Sequence, residues 1–320
     1  MNAYRDPTKP LNVPVLMKTP MLYPLLLLFL PPLLPAQSAD TSRIAQHLRT
    51  LTKTPLARNY RELATLNQAA DYLRQQLDPY ADTTYFQPYS IGGDSYKNVV
   101  AVFSGASEAT IVVGAHYDVC GDQEGADDNA SGVVGLLELA RMLAGQQRSH
   151  RIEMVAYTLE EPPYFRTANM GSNIHAQSLL DRGVPVYGML CLEMIGYFDD
   201  AKGTQEYPLG LLSWFYGKRG DFILLVNKFN KGKFARRFSR KFRRTARIKT
   251  KSLAGPKNIP GIDYSDHLNY WSRQMSALMI TDTAFYRNKN YHEVTDTMET
   301  LDLPRMAQVI DAVYEALLRL

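Results

Sequence analysis

From Asp40 to Leu77 the apolar residues recur at helical spacing: Ile44, Leu48 and Leu51, then Leu63, Leu66, Ala70, Leu73 and Leu77. Beyond Leu77 the texture changes. "TTYFQPYSI" and "KNVVAVFSG" are short β-type runs separated by Gly92-Gly93-Asp94, which predicts an antiparallel pair. Strand-like and helix-like segments then alternate. "ATIVVGAHYD" reads as a strand, "SGVVGLLELARMLAG" as a helix closed by Gly145, and "RIEMVAYTLEE" as a strand. "GSNIHAQSLLDRG" reads as a helix, while "VYGMLCLEMIGY" and "DFILLVN" read as strands. A basic helix, the strand "SALMITDTA" and a final helix from Pro304 to Leu318 complete the chain.

Near-continuous apolar strands between helices imply an α/β fold whose sheet is covered on both faces. There is no internal repeat, no low-complexity linker and no sign of a second domain. The N-terminus stands apart. "MLYPLLLLFLPPLL", Met21 to Leu34, follows Lys18 and precedes "PAQSAD". It has the length of a signal-peptide core, falls short of the roughly 20 residues of a membrane span, and contains Pro31 and Pro32. The expectation is a signal peptide over residues 1–38, cut after Ser38 with Ala36 and Ala39 as alternatives. Translation starting at Met17 is a variant of the same reading. Residues 39–320 would then form a single catalytic domain, exported to the periplasm or secreted by a bacterial cell.

Composition adds two points. Cys120 and Cys191 both lie in apolar, strand-like contexts and read as buried free thiols rather than a disulfide. Lys228 to Lys251 holds twelve Lys or Arg and no acid, whereas the remainder of the mature chain has 21 basic residues against 31 acidic ones. Phe234, Phe238 and Phe242 recur at i, i+4 within this segment, so it reads as an amphipathic helix with an apolar face and a solvated cationic one. The functional alternative is contact with an anionic surface: lipid, envelope polymer or acidic peptide. No nucleic-acid reader motif is present.

The chemistry collects where strands end, the edge at which open α/β sheets build their sites. The first buried strand ends in His116-Tyr117-Asp118, the second in Glu160-Glu161, and the third carries Glu193. The last leads to Tyr291-His292, and Asp127-Asp128 precedes a helix. Asp118, two residues beyond His116 on a strand, would share its face and orient its ring. Two adjacent carboxylates after "MVAYTL" can divide labour, one holding a metal and one free as a base. A charge inside "LCLEMIG" is costly unless a cation meets it.

As a set, "HYD", "ADDNASG", "EE", "LEMIGY" and "YH" followed by "TDT" resembles the co-catalytic zinc aminopeptidase family, which includes glutamate carboxypeptidases and glutaminyl cyclases. The match runs from Asn98 to Leu320. It implies a three-layer α/β/α sandwich with a mixed, largely parallel central sheet, and two Zn2+ per chain. By the same resemblance Asp128 bridges both ions, with a cis peptide bond after it. His116 and Glu193 complete one metal site, and Glu161 and His292 the other. Glu160 matches the general base, and Tyr291 a hydroxyl that meets the developing oxyanion. Asp266 and His267, in "SDH", match pocket structure. Glu193 departs from the Asp common at its position, and Pro162-Pro163 departs from the usual loop.

The function expected is that of an exported zinc metallopeptidase acting on peptides, most simply an aminopeptidase. The alternatives are a glutaminyl-peptide cyclotransferase and a non-catalytic peptide-binding derivative. The cyclases typically carry Trp where this chain has Tyr291. His47, His150 and His175 are expected on the surface or on helices, away from the site.

Overall fold

The fold is taken from a computed structural model, in which residues 1, 8, 37–230 and 232–320 are described. The apolar run of residues 21–34 lies outside the described residues. Among these, no helix is long and apolar enough to cross a membrane.

The helical run after Asp40 is two helices, α1 (Thr41–Thr52) and α2 (Leu63–Leu77). Asp40 starts the first by accepting from the Ser42 and Arg43 amides. The hairpin follows as β1 (Thr83–Ile91) and β2 (Asp94–Phe103), paired antiparallel with Ile91 opposite Asp94. Gly92 and Gly93 both have positive φ, which the two-residue turn requires. The remaining elements are β3 (Ser107–His116), α3 (Gly132–Leu143), β4 (His150–Tyr157), α4 (Gly171–Asp181) and β5 (Val186–Leu192). They continue with α5 (Leu212–Tyr216), β6 (Ile223–Lys228), α6 (Gly232–Thr245), β7 (Thr250–Gly255), α7 (His267–Ser272), β8 (Ala277–Thr281) and α8 (Leu303–Leu318).

The eight strands form one sheet in the order β1-β2-β4-β3-β5-β8-β6-β7. Its centre, β4-β3-β5-β8, is parallel. Antiparallel pairs join this centre to β2 on one side and to β6 on the other. The sheet is therefore mixed and largely parallel, as expected. Side chains alternate across it: Ile111, Val113 and Ala115 enter one core with residues of α1, α2, α3, α6 and α8. Val112, Met189 and Cys191 enter a second core with residues of α4 and α7. Burial on both faces explains why these strands read as unbroken apolar runs rather than alternating ones.

Two elements differ from the expectation. The basic segment is helical only over Gly232–Thr245, and its last residues begin β7, an edge strand paired with β6. The short α5 and α7 carry too few periodic residues to be seen in the pattern. The aromatic stripe of α6 behaves as read: Phe234, Phe238 and Phe242 are fully buried.

Candidate active site

His116 is the last residue of β3 and is almost wholly buried. Its Nδ1 lies 3.1 Å from the Asp118 carbonyl oxygen. A carbonyl can only accept, so in the neutral ring the proton sits on Nδ1 and Nε2 is a bare lone pair. That Nε2 has no hydrogen-bond partner. It faces Asp128 Oδ1 at 3.2 Å, Glu193 Oε2 at 3.5 Å and Glu160 Oε2 at 4.0 Å. The other oxygen of Asp128 turns to a second histidine: Oδ2 lies 3.1 Å from His292 Nε2, which also meets Glu161 Oε2 at 3.2 Å. Asp128 thus stands between two donor groups, His116 with Glu193 and His292 with Glu161. Cys120 belongs to the latter, its sulfur lying with donor atoms of Glu161 and His292 inside 4.8 Å.

Four buried carboxylates, those of Asp128, Glu160, Glu161 and Glu193, are gathered against two histidines. Burial pushes the Glu161 carboxyl up to about 7, helped by the Asp128 charge, and burial likewise raises Glu160 and Glu193. Burial works against protonating His116, yet Glu193, Asp118 and Asp128 outweigh it and hold the ring well above its ordinary value. His292 is raised in the same way by Asp128, Cys120 and Glu161. Four buried polar atoms of these residues have no hydrogen-bond partner: His116 Nε2, His292 Nε2, Asp128 Oδ2 and Glu161 Oε1. Imidazole nitrogen with carboxylate oxygen is the donor chemistry of zinc, and a bound divalent ion removes both the repulsion and the missing bonds. The residues present fit the metal that the resemblance implies.

The geometry depends on supports that the sequence concealed. Asp118 lies past the end of β3, not within it. Its carboxylate is 3.6 Å from His116 Nδ1 but accepts from the backbone amides of Glu160 and Glu161, each at 3.1 Å. Its main hold is therefore on the paired acids, and the His116 ring is set by the Asp118 carbonyl. Asn129 donates to the Leu192 carbonyl at 2.9 Å and accepts from Gly132 and Met194, tying the Asp128 turn to the end of β5. A Cβ on Gly132 would strike Asn129 and the Leu192 carbonyl, so this approach needs glycine. The Asp128-Asn129 peptide bond is cis.

Three further residues support the site, of which only Asp127 had been singled out in the sequence, beside Asp128. Asp296, in "TDT", accepts from the amides of Asp127 at 2.9 Å and Asp128 at 3.0 Å. Asp127 accepts from the Gly196 amide at 3.0 Å and from Asn288 at 2.8 Å. Arg58, between α1 and α2, is buried without a carboxylate partner. Its guanidinium donates to the carbonyls of Tyr117, Leu51, Glu124 and Gly125, and burial lowers its pKa to about 10. A lone arginine in a helical stretch carries no sequence signal for this role. The "TDT" triplet did carry one.

Beside Glu193 opens an apolar cavity lined by Leu224, Val226, Leu253, Ile262, Met279 and Phe285, and also by Tyr291. Tyr291 stacks on His292 at 3.8 Å between ring centroids. Asp266 is fully buried, and burial pushes its carboxyl up to about 7. His267 is also fully buried. Its Nε2 lies 2.8 Å from the Ile262 carbonyl oxygen, its ring meets Trp271 edge-on, and burial lowers its pKa to about 4. It holds the turn that brings Ile262 to the cavity.

Other expectations need correction. His47 and His175 lie on helices, α1 and α4, as one branch of the expectation had it, but are buried. His175 lies inside a polar chain, its Nε2 3.0 Å from Glu153 and its Nδ1 2.7 Å from the Tyr270 hydroxyl, because a fully buried Glu153 requires a partner. His150 begins β4 and stacks on Tyr187. The two cysteines are free, as read, but only Cys191 is buried in a strand. Cys120 lies in the loop after β3 and is partly exposed.

Residues 98–317 match the model of Peptidase family M28. The uncharacterised protein YfbL of Escherichia coli (strain K12) is 43% identical over 287 residues, which cover 87% of this chain and 88% of that one. A probable leucine aminopeptidase of Trichophyton verrucosum (strain HKI 0517) is 25% identical over 300 residues, covering 86% and 74%. In fold, the chain is similar to the crystal structure of Bacteroides thetaiotaomicron glutaminyl cyclase bound to N-acetylhistamine. That likeness has a TM-score of 0.67 at 16% identity and covers 89% of this chain and 99% of the other.

Proposed function

The chain belongs to peptidase family M28, and from that premise we propose that it is an exported zinc aminopeptidase with two ions per chain. The observation that carries the two-ion reading is Asp128, whose two oxygens face the unpartnered Nε2 atoms of two different histidines. His116, Asp128 and Glu193 would hold one ion, and Asp128, Glu161 and His292 the other. Bound there, zinc supplies Lewis-acid polarisation of a carbonyl and lowers the pKa of water.

The chain's own residues do the rest. Glu160 reaches no nearer to His116 than 4.0 Å, while its neighbour Glu161 lies against His292. Its backbone amide donates to Asp118, and its carboxylate would take a proton from the attacking water and return it to the leaving amine. The Tyr291 hydroxyl would donate to the oxygen of the scissile carbonyl as charge develops on it. The cavity favours an apolar N-terminal side chain, since polar groups of a substrate would find few partners among Leu224, Val226, Ile262 and Met279. Support for aminopeptidase action comes from the relative described as a probable leucine aminopeptidase. Export rests on the apolar run of residues 21–34.

The fold likeness to a glutaminyl cyclase supports a second reading, a one-ion cyclotransferase. Metal analysis together with a panel of aminoacyl-nitroanilides and an N-terminal glutaminyl peptide separates the two. The proposal expects two zinc ions and fastest release of leucyl-type residues. Saturation at one zinc with cyclisation of the glutaminyl peptide would replace it with the cyclase.

A further inference from the structure

The loop after β3 brings a third kind of donor to the site. Cys120 follows Asp118 by two residues, in a loop fixed at both ends. Arg58 holds the carbonyls of Tyr117, Glu124 and Gly125, and Asn59 donates to the Gly121 carbonyl at 2.6 Å. The Asp118 carboxylate clamps the same loop onto the backbone of Glu160 and Glu161. The Cys120 sulfur, a Glu161 oxygen and a His292 nitrogen lie within 4.8 Å of one another. Asp128 Oδ2, an orphan oxygen on an almost wholly buried side chain, lies 3.1 Å from His292 Nε2, and the almost wholly buried Glu161 carries a second orphan oxygen, Oε1. These oxygens mark the space as one that a cation fills, independently of the cysteine.

Resting on the zinc-peptidase reading of this site, we propose that Cys120 is a sulfur donor to the ion held by Asp128, Glu161 and His292. The two metal sites are then unlike. One has a histidine and two carboxylates. The other has a histidine, two carboxylates and a thiolate, four protein donors in all, the number that closes a zinc coordination sphere. Soft sulfur biases the second site towards thiophilic ions over magnesium or manganese. It also places the more open coordination position at the His116–Glu193 site, on the side of the apolar cavity. Binding displaces the thiol proton to solvent, as it must for any cysteine ligand.

The test is a cadmium titration of protein first freed of metal by a chelator, followed by ultraviolet absorbance. Wild type should develop a sulfur-to-cadmium charge-transfer band that saturates at one equivalent, while total binding continues to two. In Cys120→Ser the band should vanish and the affinity of one site should fall by more than about 10-fold, with an unchanged circular dichroism spectrum. In wild type, cadmium should also protect Cys120, identified by peptide mapping, from alkylation. That measurement keeps the proposal testable if the variant does not fold. Cadmium binding without the band, a band retained in Cys120→Ser, or alkylation indifferent to cadmium overturns the proposal and leaves the peptidase reading intact. Absence of any metal binding by wild type would overturn both.

Discussion

Consider the protein held in chelator and unfolded by urea at a series of pH values between about 5 and 8. Asp266 is fully buried and, through burial, titrates at about 7 in the folded chain. Unfolded, it titrates near 4. Between these values the folded state keeps a proton that the unfolded state has lost, so stability falls as pH rises. Only the part of that interval from about pH 5 to 7 lies inside the window, and two pH units correspond to about 2.7 kcal/mol. Glu161 and Asp296, each raised to about 7 with burial the largest cause, act in the same direction.

The histidines carry the same sign. His116 and His292 are held above the ordinary imidazole value by the acids around them. Their contribution is complete below about 6.5 and is lost as pH rises through the raised values. Asp128, held low by its two histidines, contributes above about 4 and loses its share only in stronger acid, outside the window. Because these groups face one another, their effects do not add. The expected net loss between pH 5 and 8 is therefore about 3 kcal/mol, close to the single-carboxyl figure. Saturating zinc should reverse the trend, since its ligands must be deprotonated and its stabilisation grows with pH. A chelated protein whose urea stability is flat, or rises from pH 5 to 8, would refute the reasoning.

Three other outcomes are expected. Glu160→Gln should keep both zinc ions and lose about 10²-fold or more in kcat with little change in KM, whereas Glu161→Gln should lose zinc; zinc content measured beside kcat checks this, and the reverse pattern would exchange the two roles. Asp296→Ala strands the buried amides of Asp127 and Asp128, so urea unfolding should show a loss of about 2–6 kcal/mol and zinc affinity should drop about 10–100-fold; a loss under about 1 kcal/mol with zinc binding intact would count against it. The outward face of α6 exposes Lys233, Arg236, Arg240, Arg243 and Arg244, so flotation with anionic vesicles should show binding that collapses with salt, these charges being screened beyond about 8–10 Å at physiological ionic strength; no binding at low salt would leave the face a solvated one.

What could be read in advance follows from where each residue's signal lies. His116, Glu160, Glu161 and Glu193 stand at the ends of apolar runs, where a charge conflicts with its surroundings and so announces itself. Arg58 acts through backbone carbonyls of other segments, and no local pattern records such a bond; Asp296 was visible only as part of the "TDT" triplet, without its bonds to the Asp127 and Asp128 amides. Asp118 was assigned to the strand because two-residue spacing keeps side chains on one face. The strand stops at His116, and past that point the rule no longer applies. Cys120 was placed in the core for the same reason. The strand β7 was hidden because its cations continue those of α6. An edge strand accepts charged side chains that a central strand would not.

The segment that matches the family begins at residue 98, yet Arg58 lies 40 residues before it. The loop that carries Asp118, Cys120 and Gly125 is thus fastened by a part of the chain that a boundary drawn on family resemblance would discard. A fragment started at Asn98 would keep every candidate metal donor and lose the guanidinium that shapes the loop between them. Shortening, circular permutation or exchange of this catalytic unit between relatives should therefore treat the stretch from Thr41 to Leu77 as part of the active site's architecture. In a transplanted version, an arginine at the position of Arg58 matters as much as the histidines it never touches.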